Sequence, residues 1–292
     1  MKKLPLFYCV AVLPFSAAGS VVINETWSDG DRTNQDLANN SMAWFSSAGG
    51  STVDDGVGFM TQNTGGGGRH ILGYFTDAGS PVALGVGEFL RVDFLISFDF
   101  TSGNTNFALD NNDFRMGAWD SQGARVTEDN HAGTSSSNNN VAFENYTGYI
   151  FAGGLDSSRS ISLRKKNAPS DGILIASTGV YSTLGSTQSD HTSVAYNTIY
   201  AGRLEIERTD TDTVTLAYSL DDGETVFAAI SRTDSSDPYV SFDTVGFVLG
   251  SNVADGYTLS QVQISVIPEP SLFAALAGAA GLGLVLFRRR RR

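Results

Sequence analysis

The sequence predicts an all-β protein, with a body built as a single antiparallel β-sandwich, and three observations predict it. Apolar and polar residues alternate with period two in segment after segment. No part of the body carries a helical apolar stripe over three turns. The intervals between the alternating segments are turn-forming: the 292 residues include 32 glycines but only 7 prolines, with abundant Asn, Asp, Ser and Thr. A hydrophobic content of 41% supplies a core, and the body, residues 21–266, is long enough for one large domain.

Residues 92–100 carry the clearest alternation. Val92, Phe94, Ile96, Phe98 and Phe100 share one face, while Asp93, Ser97 and Asp99 take the other, with Leu95 as the exception. Residues 213–220 repeat the pattern through Val214, Leu216, Tyr218 and Leu220. The turn Asp221-Asp222-Gly223 follows, and residues 225–230 can return as the partner of a hairpin. Further strands are expected at 21–26, 113–118, 148–152, 160–165, 173–177, 202–208, 244–250 and 258–266. Residues 65–68 and 135–140 read as loop tips. About ten such strands without helices imply two sheets packed face to face.

The two ends are not part of that fold. Lys2 and Lys3 precede an apolar stretch at 4–15, and Ser16-Ala17-Ala18 then offers small residues to signal peptidase, so residues 1–20 read as a signal peptide. At the other end Pro268, Glu269 and Pro270 precede 17 residues, 271–287, rich in Leu, Ala and Gly. As a helix this run would span roughly 25 Å, near the lower limit for crossing a membrane. Arg288, Arg289, Arg290, Arg291 and Arg292 follow, and such a cluster keeps its side of a membrane cytoplasmic. Residues 267–292 thus read as a membrane-spanning tail with its arginines on the cytoplasmic side.

Seven of the 19 basic residues and one of the 31 acidic residues lie in these two ends. The body therefore holds 12 basic and 30 acidic residues, a net charge of −18. No basic stripe is visible in the sequence, which argues against nucleic acid as a partner. The only cysteine, Cys9, lies in the leader, so the body has no disulfide, no thiolate nucleophile and no Cys-ligated zinc.

Catalytic patterns are missing. Glu205-Ile206-Glu207 puts two carboxylates on one strand face but lacks the third acid of a retaining glucanase strand. His70, His131 and His191 are far apart, and Asp190, His191 and Ser193 are too close in the chain to face one another readily as a triad. No Gly-x-Ser-x-Gly elbow occurs. The protein is therefore expected not to be an enzyme. Asp29, Asp31, Asp221 and Asp222 offer oxygen ligands for a structural calcium, although turn formation explains them equally well. No other cofactor is expected. Trp119, Tyr146 and Tyr149 are the candidates for stacking on a sugar, and each serves equally well in a core.

The tail, with Pro268, Glu269 and Pro270 matched one by one and Phe287 meeting Arg288 at the end of the apolar run, resembles the PEP-CTERM sorting signal of Gram-negative bacteria. That resemblance implies processing by an exosortase, a membrane protease, transient residence in the inner membrane, and delivery to the cell surface or extracellular matrix. The body, through its strand pattern, Phe114-Arg115-Met116-Gly117, Ile206-Glu207-Arg208 and the opening Trp27-Ser28-Asp29-Gly30-Asp31-Arg32 running on to Trp44-Phe45, is similar to concanavalin A-like, laminin-G-like sandwiches. It implies a jelly roll. Three functions follow as expectations. The first is a non-catalytic surface protein associated with exopolysaccharide. The second is a carbohydrate-binding module, and the third a glycan-active enzyme whose carboxylates would lie about 5–10 Å apart.

Overall fold

Alternation becomes architecture first in the longest strands. The computed structural model describes residues 20–32, 41–47, 51–54, 58–62, 69–100, 107–111, 113–129, 131, 141–175 and 177–268. In chain order the strands are β1 (Ser20–Glu25), β2 (Ala43–Ser46), β3 (Ser51–Asp54), β4 (Gly58–Gln62), β5 (Arg69–Tyr74), β6 (Val82–Ala83), β7 (Phe89–Asp99) and β8 (Asp113–Asp120). A 3-10 turn at Val141–Phe143 precedes β9 (Thr147–Gly154), β10 (Ile161–Lys166), β11 (Tyr181–Thr183) and β12 (Ile199–Asp210). Then follow β13 (Thr213–Asp221), β14 (Val226–Asp234), β15 (Ser241–Phe242), β16 (Thr244–Leu249) and β17 (Gly256–Ile267). Among the described residues no helix is long and apolar enough to cross a membrane. The leader, Glu269, Pro270, the apolar run with its five arginines, and the loop tips at 65–68 and 135–140 lie outside the described residues.

The strands form two antiparallel sheets. One runs β14-β13-β12-β7-β17-β4-β3, with β1 also on β17; the other runs β11-β10-β9-β8-β16-β5-β2, and a small ladder joins β15 to β6. β17 is central to the first. It pairs with β7 along its length, while its other edge is shared by β4 at residues 256–259 and by β1 at residues 262–266, with a bulge between Leu259 and Gln261.

β7 shows why the sheets meet. Leu90, Val92, Phe94, Ile96 and Phe98 are buried, and each contributes about 1.5–3 kcal/mol relative to exposure. The alternate residues Arg91 and Asp93 pair on the outer face with Glu205 and Arg203 of β12. Across the sandwich Phe98 meets Phe114 edge-on at 5.4 Å, Phe94 meets Phe247 at 5.1 Å, and Tyr218 stacks on Phe151 at 3.6 Å. Phe100, expected on the buried face, lies just beyond the strand and is half-buried against Tyr196.

The β13–β14 hairpin forms around Asp221-Asp222-Gly223, with Gly223 at φ +89°. One expected strand is absent. Residues 173–175 form no strand; Ile173, Leu174 and Ile175 are apolar because they cover a second hydrophobic core outside the sandwich. That second core lies on the outer face of the seven-stranded sheet and contains Phe45, Leu72, Trp119, Phe143, Tyr146 and Ile150.

Candidate functional site

A sheet whose outer face is partly roofed by loops divides into a closed region and an open one. In the closed region the Trp119 indole lies over three glycines. A Cβ on Gly117 or Gly148 would come within 2.7 Å of it, and one on Gly246 within 3.2 Å. The indole Nε1 donates to Tyr181 Oη (3.0 Å), which in turn donates to the Leu174 carbonyl (2.6 Å). The Tyr146 and Tyr74 hydroxyls lie 3.0 Å apart, and Val126 N donates to Tyr74 Oη. Tyr149 points the other way, into the sandwich, where its hydroxyl donates to Asp234 and accepts from Tyr239 N.

These contacts correct the expectation of sugar stacking. Trp119, Tyr146 and Tyr149 are all 0% exposed, and a ring with no open face cannot meet a sugar from solvent. The sequence places them on strand ends beside loops. It does not show that both faces of this sheet are covered.

A buried ion pair ties the roof down. Asp243, fully buried, accepts from Ser121 N (2.8 Å), Ser121 Oγ (2.5 Å), Thr244 Oγ1 (2.6 Å) and Arg125 Nη2 (2.8 Å). Arg125 also donates to the carbonyls of Thr76 and Asp77 and lies over the Tyr74 ring at 4.7 Å. Nearby, Arg32 pairs with Asp129, which also accepts from Ser46 N. Trp27 and Trp44, from the opening motif, pack 5.7 Å apart in the core, and buried Glu25 accepts from Trp27 N and Met42 N. Burial pushes the Glu25 carboxyl up, against the pull of those backbone donors.

The acidic turns are engaged with their own backbone. Asp29 Oδ1 accepts from Asp31 N (3.2 Å), Asp221 Oδ1 from Gly223 N (3.1 Å), and Asp222 Oδ1 from Glu224 N (3.0 Å) and Thr225 N (2.7 Å). Those backbone donors, Thr225 first, hold Asp222 below the usual carboxylate range. No cluster of three or more His, Cys, Asp or Glu side chains that could hold a metal occurs among the described residues.

The open region lies at the other end of the same face. Strand pairing sets Asp113 opposite Gly154, Arg115 opposite Ala152, Ala152 opposite Ser162 and Ile150 opposite Arg164. A groove of about 320 Å³ opens there, lined by Asp113, Ala152, Ser158, Arg159, Ser160, Ser162 and Arg164. Its volume is at the small end of ordinary small-molecule sites, about 300–1,000 Å³. Arg159 reaches Asp113 Oδ1 (3.0 Å) and donates to the Asp110 carbonyl (2.7 Å). Its stem folds across Gly154, where a Cβ would come within 2.3 Å of it. Arg115 approaches Asp113 from the sheet at 3.6 Å. Arg164 donates through Nε to Ser162 Oγ (2.9 Å), which donates to the Ala152 carbonyl (3.2 Å). One turn of the same strand face further on, Lys166 is fully buried, with Nζ 2.5 Å from Ser170 Oγ.

No basic stripe is legible in the sequence, yet this groove is locally basic. Arg159 and Arg164 line it, and the pairing of β8, β9 and β10 brings Arg115 up behind them. The run Arg164-Lys165-Lys166 is the local signal that marks it.

His70, buried, packs against His131 at 4.8 Å between ring centroids; burial first, and His131 second, hold its imidazole well below the usual range. His191 Nε2 contacts the Arg159 carbonyl, while Ser193 Oγ donates to Asp156 at 2.9 Å. Glu205 is engaged by Arg91 (2.7 Å).

The strands define a two-sheet antiparallel β-sandwich. No protein-family model matches the chain, and no curated protein matches it. Among solved structures it is similar to peanut lectin bound to a nine-residue peptide, at 10% identity and TM-score 0.45 over 84% of this chain and 96% of that one. It is also similar to the metal-free VIP36 exoplasmic/lumenal domain, at 10% identity and TM-score 0.46 over 85% and 93%. A third likeness is to a legume lectin-like domain from Entamoeba histolytica, at 12% identity and TM-score 0.41 over 77% and 89%.

Proposed function

We propose that this chain is an exported, non-catalytic carbohydrate-binding protein of the bacterial surface. The observation that carries the reading is the open polar groove on the outer face of the seven-stranded sheet. Its lining is three serines, two arginines, an aspartate and one alanine, and the polar six supply the hydrogen-bonding chemistry that recognises sugar hydroxyls and their substituents. The pairing of Ser193 with Asp156 and of Glu205 with Arg91 supports the non-catalytic reading.

The address comes from the two ends. Signal peptidase would remove residues 1–20, and an exosortase-type protease would act at Pro268, Glu269 and Pro270 while the apolar run holds the chain in the inner membrane. The mature body then joins the surface or extracellular matrix of a Gram-negative cell, with exopolysaccharide as its partner. A glycan array probed with the full chain, solubilised in detergent, tests the binding claim. Retention of a defined set of glycans is the expected result, and a blank array over broad chemistry refutes it.

A further inference from the structure

Three guanidinium groups meet on one small area of a body whose net charge is −18. Arg159 and Arg164 line the groove, Arg115 backs it, and Asp113 is the one carboxylate in its lining. Asp113 is shared between Arg115 and Arg159. The two Nη atoms of Arg164 have no partner among the described residues, while its Nε is fixed by Ser162. Ser162 is itself buried and anchored to the Ala152 carbonyl, so it is a positioning residue for the guanidinium plane.

Burial, with Arg164 adding to it, lowers the Arg115 guanidinium against the pull of Asp113. Like charges held together on a strand face cost stability until an anion joins them. A guanidinium with its Nη pair free presents a planar fork that matches a carboxylate with two parallel hydrogen bonds. Ser158 and Ser160 lie at the rim, where hydroxyl groups can meet the ring oxygens of a sugar.

We propose that this groove is a subsite for the carboxylate of an acidic sugar in a uronate-containing polysaccharide. Arg164 takes the carboxylate, Arg159 adds charge from the loop side, and Ser158 and Ser160 hold the hydroxyls. Asp113 keeps Arg115 and Arg159 in place. The assignment rests on the carbohydrate-binding reading above and narrows it to anionic glycans.

The test is calorimetric titration of the full chain in detergent micelles with oligogalacturonate, with its methyl ester, with neutral manno-oligosaccharide and with inorganic phosphate. Oligogalacturonate should bind and weaken with added salt, the ester should lose about tenfold or more in affinity, and phosphate should not compete at equal concentration. R164Q and R159Q should each lose about tenfold in oligogalacturonate affinity, whereas R203Q, on the opposite sheet, should not. Melting temperatures of the variants establish that the fold is intact, and R164K, which keeps the charge but not the fork, should recover only part of the loss. If neutral oligosaccharides bind and neither arginine matters, the anionic subsite is overturned while carbohydrate binding stands. If only phosphate binds, both fall.

Discussion

Replacing Lys166 with methionine should make the protein more stable, not less. Burial pushes the Lys166 ammonium down to about 8, from 10.5, with Glu144 opposing the shift. The unfolded chain therefore holds this proton more tightly than the folded one. The sign follows: stability is highest above the unfolded value, falls as pH drops from 10.5 towards 8, and is flat below that. The gap amounts to about 3 kcal/mol at neutral pH. Methionine fills a similar volume and removes that penalty, at the loss of the hydrogen bond to Ser170, worth about 1 kcal/mol. The net gain is about 2 kcal/mol at pH 7, or about 4–8 °C in melting temperature for a domain of this size. Scanning calorimetry at pH 7 and pH 10 reads both the gain and its loss, because the proton penalty shrinks by about 2.5 kcal/mol between them. A variant less stable than the parent at pH 7, or a gain that ignores pH, would refute the reasoning.

Three further perturbations test the same sheet, and a fourth tests the tail. Asp243→Ala removes the buried carboxylate that holds the partly buried Arg125, Ser121 and Thr244, and should cost about 3 kcal/mol, read by urea unfolding. Gly117→Ala drives a methyl to 2.5 Å from the Tyr149 carbonyl and into the Trp119 ring, and should lower stability by about 1–3 kcal/mol, visible as a lower melting temperature. His70 has a depressed folded pKa, so its contribution is full above about pH 6.5 and is lost as pH falls, by up to about 1.4 kcal/mol per pH unit; His70→Phe should flatten the acid limb of a stability–pH curve. Glu269→Ala, with the apolar run intact, should leave an uncut, membrane-held precursor, detected by mass spectrometry of C-terminal peptides; normal processing of that variant would sink the sorting role of the motif.

Much of the sandwich is legible in the sequence because a strand with one buried face writes its period into the chain. The segment expected at 92–100 is β7, and that expected at 213–220 is β13 with its hairpin turn. The failures share a cause. Residues 173–175 have the composition of a strand but serve as a lid on the second core, and composition records burial without recording hydrogen-bond partners. The short strands β2, β5 and β11 pass unnoticed because both of their faces are covered or their runs are too brief for a period to show. Trp119 and Tyr146 have the composition of a sugar platform, and only the tertiary structure shows the roof above them. The groove was illegible for the opposite reason, since Arg115 and Arg164 lie 49 positions apart in the chain and become neighbours only through the register of β8, β9 and β10.

The position of β17 sets the timetable of folding. It is the last described strand in the chain, yet it stands in the middle of its sheet, between β7 on one side and β4 and β1 on the other. A chain delivered N-terminus first, by a ribosome or a translocon, cannot close that sheet until residue 267 has emerged. Until then the inner edge of β7 and the whole of β1 lack their partner, and the apolar row from Leu90 to Phe98 stays half covered. Completion is therefore a single late event at the end of transit, which favours a chaperone or a slow passage over stepwise folding.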